Sequence, residues 1–557
     1  MSSTKVGPDH RDELHSVRRK FKLGTRKSLL AWAQSSWVAR EVERCNPGVE
    51  VELVGIETKG DRILDISLRK VEGKEFFVAE LDEALRSEEV DFNVHSMKDL
   101  SLDRPSDFCL AAIPKREDAR DLVIFGPGIR EKLEQATPIR IGTSSPRRLE
   151  NLPAYLKRVL PYSAEGRPAG LEFEEIRGNV NTRLGRLHLP EGDPKFLDAV
   201  VLAAAGLNRL WQDHTGRAEL ERLLMGTEQM WMPLSESPSA PAQGALAIEC
   251  RAKDQETFQL LRSLHDLESQ TDVDLERNVL RQEGGGCHQR FGASVIQMRN
   301  GDAKPKRLLW IKGARGDGSC LDALQWDAPP RPKVLRSVEV RNSSGSVELL
   351  PLTPGDLELL HHSDGVIIAH ARAVTPELLP ILRHKRCLVM GTASAEKLAQ
   401  KGIWVYAHAD GQGIEGLLPL LSQPRVRKQF GGSAMGADVP TWLVLTHESA
   451  RSEWMQGDWQ EPGQNQKTLG EFHPVATYRL GERQKADPTD PLLMRLKEAT
   501  VVYWASPNLI DEYIELVDSS VMHCCGPGKT ATALQRRGKA PWVFPSVAVW
   551  KEWSQSE

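Results

Sequence analysis

Two hydrophobic periods alternate along most of this chain, and that alternation limits the fold more than any single motif does. From Phe21 to roughly Ala328, short β-branched runs such as VELVGIET and DAVVLAAAGL take turns with stretches such as SLLAWAQSSWVAREVE. The latter carry apolar residues at helical spacing. Strands alternating with helices bury their apolar faces best as open α/β domains with parallel or mixed sheets. At 557 residues the chain is too long for one core, so several such domains are expected. A proline-rich segment, WDAPPRPKV, follows the strand-like RLLWIKGA and reads as a linker, and GDWQEPGQNQKT is a second polar loop.

Composition excludes some functions. Lys and Arg number 73 against 77 Asp and Glu, a formal net charge of −4, which argues against a general nucleic-acid binder. Local clusters of arginine can still form an anion site within a neutral whole. The opening MSSTKVGPDHRDELHSVRRKFK lacks the apolar core of a signal peptide. No run approaches the ~18 apolar residues of a membrane span. Eight scattered cysteines form no disulfide framework and suit a reducing cytosol. A cytoplasmic multidomain protein is expected.

The last third contains an internal repeat. DGVIIAHARAVTPELLPILRHKRCLVMGTASAEKLAQKG (364–402) and ATVVYWASPNLIDEYIELVDSSVMHCCGPGKTATALQRRG (499–538) each give a strand, a helix, a second strand ending in glycine, and a helix opening on small residues. Such units present backbone N–H groups at helix N-termini, which suit carboxylates. Two of them imply two α/β lobes.

Six peptides place basic and hydroxyl groups where strand-like runs give way to helices or loops. They are GTRKS (24–28), NVHSMKD (93–99), IGTSSPRR (141–148), RGNVNTR (177–183), AAAGLNR (203–209) and EGGGCHQ (283–289). Thr143, Ser144 and Ser145 follow IRIG and precede Arg147 and Arg148, so hydroxyls and guanidiniums meet at a helix start. A lone arginine there is ordinarily a solvated surface group. Six such segments, each ending a strand-like run, count heavily against that reading.

Together these segments resemble hydroxymethylbilane synthase, also called porphobilinogen deaminase, over residues 21–325, on VHSMKD, GTSSxRR, RGNVxTRL and AGLxRL. The resemblance implies two α/β lobes like those of periplasmic binding proteins plus a small α+β domain. It implies a dipyrromethane cofactor bound through Cys287, and polymerisation of four porphobilinogen molecules with loss of ammonia. Each added ring brings an acetate and a propionate, so one growing chain needs many fixed cations. Those carried over by motif are Arg26, Lys98, Arg147, Arg148, Arg177, Arg183 and Arg209, helped by Ser28, Gln34, Thr143, Ser144 and Ser145. Asp99 matches the family's catalytic carboxylate, placed to hydrogen-bond a pyrrole N–H and stabilise developing positive charge. Two positions depart from the family pattern: Leu29 stands where proline is usual, and Gly284 where glutamate is usual.

The repeat is similar to uroporphyrinogen-III synthase, a two-lobed α/β family. The likeness implies Tyr478, Ser506, Thr530, Thr392 and Ser394 as product-site residues, with His370 where serine is usual. Combined, the two resemblances divide the chain into a flexible tail (1–20), deaminase domain 1 (21–117 and 228–250), domain 2 (118–227), a cofactor-carrying domain 3 (251–328), a linker (329–350) and a two-lobed synthase-like region (351–557). The implied partners are porphobilinogen and hydroxymethylbilane, with no nucleic acid or membrane, and a monomer is expected.

Competing readings are a deaminase with a non-catalytic C-terminal docking module, and a solute-binding protein sharing the lobe architecture. His95, Ser96 and Asp99 suggest a hydrolase triad, but their spacing gives no evidence of convergence. No close-spaced Cys or His set offers a metal site. GPGKT fails as a phosphate loop because His523 stands where the motif needs its first glycine.

Overall fold

A computed structural model describes residues 19–58, 78–285, 289–298, 305–341, 347–432, 439–457, 469–480 and 491–555. The chain divides into two compact units, one formed by Met1–Arg116 with Ala245–Gln270, the other by Glu117–Gly244 with Thr271–Glu557. It is a mixed α/β protein with five sheets among the described residues.

The first unit is built on a five-stranded sheet in the order Val49–Ile56, Arg19–Arg26, Phe92–Ser96, Leu246–Arg251, Phe108–Ala112. The first three strands run parallel, and Leu246–Arg251 inserts antiparallel to both of its neighbours. The helix Leu29–Cys45 packs Val38, Ala39 and Val42 against Leu23, Phe92 and Ile248, the i, i+1, i+4 stripe an amphipathic helix lays on a sheet.

The second unit opens with a five-stranded mixed sheet ordered Leu171–Glu174, Ile139–Gly142, Ala199–Ala203, Asp121–Phe125, Glu228–Trp231. A three-stranded antiparallel meander follows, Arg290–Met298, Lys306–Ala314 and Cys320–Gln325. The C-terminal region holds two further sheets. Ser337–Val340, Val501–Trp504, Met522–Cys525 and Trp542–Val543 are parallel throughout. The other runs Val347–Leu349, Glu471–Leu480, Thr441–His447, Gly365–Ile368, Cys387–Val389, Val405–His408, parallel except for its first strand. Strand runs such as GVII and VVYW are buried without alternation, as strands covered on both faces must be.

The stretch read as a linker is not only a linker. Ser337–Val340 and Val347–Leu349 lie inside 329–350 and pair with Val501–Trp504 and with Glu471–Leu480 respectively. Strands of four and three residues are too short for hydrophobic period to reveal.

Candidate functional site

In the first unit, Arg26 ends the strand Arg19–Arg26 and Ser28 caps the following helix, its hydroxyl accepting from the Ala31 N–H at 3.3 Å. Gln34 lies buried one turn on. Lys98 and Asp99 belong to a single 3₁₀ turn, Met97–Asp99, that directly follows the strand Phe92–Ser96. The Met97 N–H is fixed by the Ala245 carbonyl at 3.0 Å, while Asp99 is exposed. Asp99 therefore closes a turn at a strand's C-terminal end and caps no helix.

The triad reading fails on geometry. Successive residues of a strand face opposite sides, and buried His95 turns its Nε2 to Glu249, 3.4 Å away. Burial, followed by the charges of Arg104 and Arg26, pushes the His95 imidazole down to about 3. Asp82, His95 and Glu249 form a candidate metal-ligand set. However, Arg104 already donates to both Asp82 oxygens (3.0 and 2.7 Å) and both Glu249 oxygens (3.0 and 2.8 Å), so the carboxylates are neutralised and we assign no metal there.

In the second unit, the strand Ile139–Gly142 leads to Thr143, Ser144 and Ser145, the last being the N-cap of Pro146–Val159. Thr143 is buried, and its hydroxyl accepts from the Ser145 N–H at 3.3 Å. Arg147 and Arg148 share a carboxylate that sequence reasoning missed, Asp121: Arg147 Nη2 and Arg148 Nη2 each lie 2.7 Å from one of its oxygens. Gln243 Nε2 donates to the same carboxylate at 2.9 Å. Burial works against the Asp121 charge, yet Arg147 and Arg148 together hold the carboxyl well below the usual range. Carbonyls complete the pair's partners, Pro238 for Arg147 and Val201 for Arg148, both at 2.8 Å.

On its other side this site is dominated by like charge. Arg183, on the helix Val180–Gly185, donates its Nε to the Gly178 carbonyl at 2.8 Å. It is pushed down to about 10 by burial and then by the charges of Arg148, Arg177 and Arg186. Three other guanidiniums thus act on Arg183, and Arg186 was not singled out from sequence; its spacing of three from Arg183 on RGNVNTRLGR was the available signal. Arg209, on Ala204–Gln212, donates to the Gly244 carbonyl at 2.6 Å. Burial lowers it to about 10 against the pull of Glu117. Cys287 lies outside the described residues.

In the C-terminal region, Tyr478 sits in the strand Glu471–Leu480 with its ring 5.9 Å from that of His447. The imidazole of His447 accepts from or donates to Ser449 Oγ at 2.8 Å. Burial and then Lys529 hold His447 below its usual range. Burial, Arg372, Lys397 and His447 do the same to His370. Lys529 starts the helix Lys529–Arg536, pairs with Glu453, and precedes Thr530. Arg372, Lys397 and Lys529 therefore act on the lowered imidazoles of His370 and His447, the latter beside Tyr478, while Lys529 is also paired with Glu453 and is followed by Thr530. Of these, only His370, Tyr478 and Thr530 were legible beforehand. Ser506 follows Trp504 at the end of its strand, and its carbonyl accepts from the Leu509 N–H. Thr392 is placed otherwise: its hydroxyl lies 3.3 Å from Glu236 Oε1 and 3.4 Å from His408 Nε2, so it serves a contact with the preceding domain. Ser394 lies in the first turn of the same helix, Thr392–Ala399.

Residues 21–259 match the family model described as porphobilinogen deaminase, dipyromethane cofactor binding domain. A porphobilinogen deaminase from Brevibacillus brevis is 40% identical over 284 residues, which are 51% of this chain and 82% of that protein. One from Listeria monocytogenes serotype 4a is 37% identical over 319 residues, 56% of this chain and 92% of that protein. Among solved structures, a mutant uroporphyrinogen III synthase from the extremely thermophilic bacterium Thermus thermophilus is 17% identical with a TM-score of 0.22, covering 35% of this chain and 78% of that one. That similarity is too slight to bear on function, so the C-terminal region is read from its own residues. Among the described residues, no helix is long and apolar enough to cross a membrane.

Proposed function

Because the chain belongs to the porphobilinogen deaminase family, we propose that Asp99 and the arginines above assemble four porphobilinogen units on a dipyrromethane attached at Cys287, and that the C-terminal region then closes the product to uroporphyrinogen III. The observation that carries the first part is the placement of Arg147 and Arg148 on Asp121 at the start of one helix, with Arg183 close enough to feel Arg148, Arg177 and Arg186. Guanidiniums bind carboxylates bidentately, and a chain with two carboxylates on every ring suits such a set. A dipyrromethane with its own carboxylates fits the same donors.

When bound, the dipyrromethane would supply the free α-carbon of its terminal pyrrole as the nucleophile for the first unit, each added ring then offering the next free α-carbon as ammonia departs. The protein's part is electrostatic and positional. Arg147 and Arg148 are fixed by Asp121, so their remaining N–H groups are oriented before any ligand arrives. Arg183 and Arg209, held by the carbonyls of Gly178 and Gly244, add cations for carboxylates further along the chain. Ser144 and Ser145 extend this set, and in the first unit Arg26, Lys98, Ser28 and Gln34 are the donors that the family resemblance assigns. Asp99, exposed at the end of its turn, hydrogen-bonds the pyrrole N–H and stabilises the positive charge that develops as the amine leaves. It then accepts the proton lost from the attacking carbon.

Intact-mass spectrometry of the purified protein tests the attachment: an added dipyrromethane mass should be present and should vanish in Cys287→Ser. An active protein with unmodified Cys287 would refute it. Asp99→Asn should cut turnover by about a hundredfold or more while keeping that added mass; rates within a few-fold of the parent would make Asp99 structural only.

The cyclisation rests on the cations Arg372, Lys397 and Lys529, the last shared with Glu453, that act on His370 and His447 near Tyr478. Strand ends of an open α/β sheet are where such folds take ligands, and these residues suit a tetrapyrrole bearing eight carboxylates. Ser506 and Ser394 offer further donors.

A further inference from the structure

Resting on the reading that Arg147 and Arg209 bind carboxylates of the growing chain, we infer that the C-terminal region is part of the deaminase's own framework, with Asp410 and Arg425 acting as positioning residues for those two arginines. Both anchors reach into the second unit's first sheet domain from residues that the deaminase resemblance does not cover.

Asp410 follows the strand Val405–His408 and holds a left-handed backbone, φ 51°, which residues other than glycine seldom adopt. Its own N–H donates to His408 Nδ1 at 3.1 Å. In that posture its carboxylate accepts from the Leu234 N–H (3.3 Å), the Ser235 N–H (3.1 Å) and the Ser235 hydroxyl (2.6 Å). Three donors on one side chain fix the start of the 234–239 loop. That same loop presents the Pro238 carbonyl to Arg147 Nη1 at 2.8 Å. A backbone conformation of this kind, stabilised by three hydrogen bonds to another domain, is what a placed structural anchor requires.

Arg425 supplies the second anchor. It is 1% exposed and lies on the short helix Pro424–Gln429. Its Nε donates to Asn208 Oδ1 at 3.1 Å and its Nη1 to Gln229 Oε1 at 2.7 Å, with the guanidinium 5.2 Å from the centre of the Trp231 ring. Beside it, Gln423 accepts from Asn208 Nδ2 at 3.0 Å and donates to Asp118 at 2.9 Å. Asn208 directly precedes Arg209 on the same helix, so the C-terminal region grips both ends of the side chain next to that arginine. The Gly244 carbonyl that accepts from Arg209 also accepts from the Glu117 N–H at 3.1 Å, next to the Asp118 that Gln423 holds.

The test uses the full chain. Asp410→Gly keeps the left-handed backbone and removes the carboxylate; Arg425→Met keeps the bulk and removes the guanidinium. Each should raise the KM for porphobilinogen about tenfold, with a smaller change in kcat, and should stall elongation at the bound intermediates that Arg147→Gln and Arg209→Gln respectively accumulate. Arg425→Lys should restore part of the loss. Asp410→Gly combined with Arg147→Gln should be no worse than Arg147→Gln alone, because both act on one element; multiplicative effects would mean general destabilisation and would overturn the inference. Should Arg425→Met not accumulate as folded protein, Gln423→Leu, which releases Asn208 and Asp118 without uncovering a charge, is read by the same measurements. Wild-type KM, kcat and intermediate ladder in Asp410→Gly and in the folded Arg425 or Gln423 variant would also overturn it. If Arg147→Gln and Arg209→Gln are themselves silent, the reading beneath the inference falls instead.

Discussion

Asp121 is fully buried and holds Arg147 and Arg148 with one carboxylate. Removing its charge should leave two guanidiniums desolvated with carbonyls alone. Breaking a buried pair in this way costs about 3–5 kcal/mol, so Asp121→Asn should lower the urea unfolding free energy by that order. A loss below about 1 kcal/mol would mean that water reaches the pair. His95 makes the complementary prediction with pH. Its imidazole titrates at about 3 in the folded protein, against 6.5 for the free side chain, so between those values the unfolded chain binds more protons. Its contribution is complete above pH 6.5 and is lost as pH falls toward 3, at up to about 1.4 kcal/mol per pH unit. His95→Gln should flatten the dependence of unfolding free energy on pH from about 6 to about 4 relative to the parent; an unchanged slope would assign the acid sensitivity to other groups.

At the scale of elements, Gly292 shows how tightly the meander is seated. A Cβ there would lie 2.0 Å from the Pro238 carbonyl oxygen and 2.9 Å from that of Ser239, both backbone atoms that cannot rotate away. Gly292→Ala should therefore lower thermal stability by about 1–3 kcal/mol, and also disturb Arg147 through Pro238; a thermally neutral variant would show that the meander shifts freely. The elements themselves were largely legible, since short apolar runs such as AVVLA and GVII are recognised by their length and β-branched content. The arginine segments were legible because hydroxyls and guanidiniums gather at strand ends. Asp121 was not, because RDLVIF reads as an ordinary strand start and only the fold brings it to Arg147, 26 positions on. His447 and Lys529 were equally hidden, lying 82 residues apart with no local pattern between them. The contacts of Thr392 with Glu236 and His408 were not legible, because a threonine opening a helix looks alike whether it meets a ligand or a neighbouring domain.

For the whole molecule, the prediction concerns product identity. If the C-terminal basic group binds and closes the tetrapyrrole, the intact chain given only porphobilinogen should yield, after oxidation, mostly uroporphyrin isomer III. Lys529→Gln combined with Arg372→Gln should shift the product toward isomer I while porphobilinogen is consumed at the parent rate. Isomer I alone from the parent protein would leave the region as the framework that Asp410 and Arg425 suggest. Point substitutions are preferable to truncation here, because removing the region would take a hydrogen-bond partner from each of Asp118, Asn208 and Gln229.

The order of strands in the first unit also bears on how the chain is made. Leu246–Arg251 lies between Phe92–Ser96 and Phe108–Ala112, so an interior strand of that sheet is the last of its strands to leave the ribosome. When residue 116 has emerged, both neighbours present open edges with nothing between them, the situation that invites pairing with another chain. At about 5–20 residues per second, the missing strand arrives several seconds later, after the residues that follow Glu117 have had time to fold. Nascent chains halted shortly before residue 246 should therefore bind holdase chaperones strongly, and chains halted well beyond residue 251 should release them.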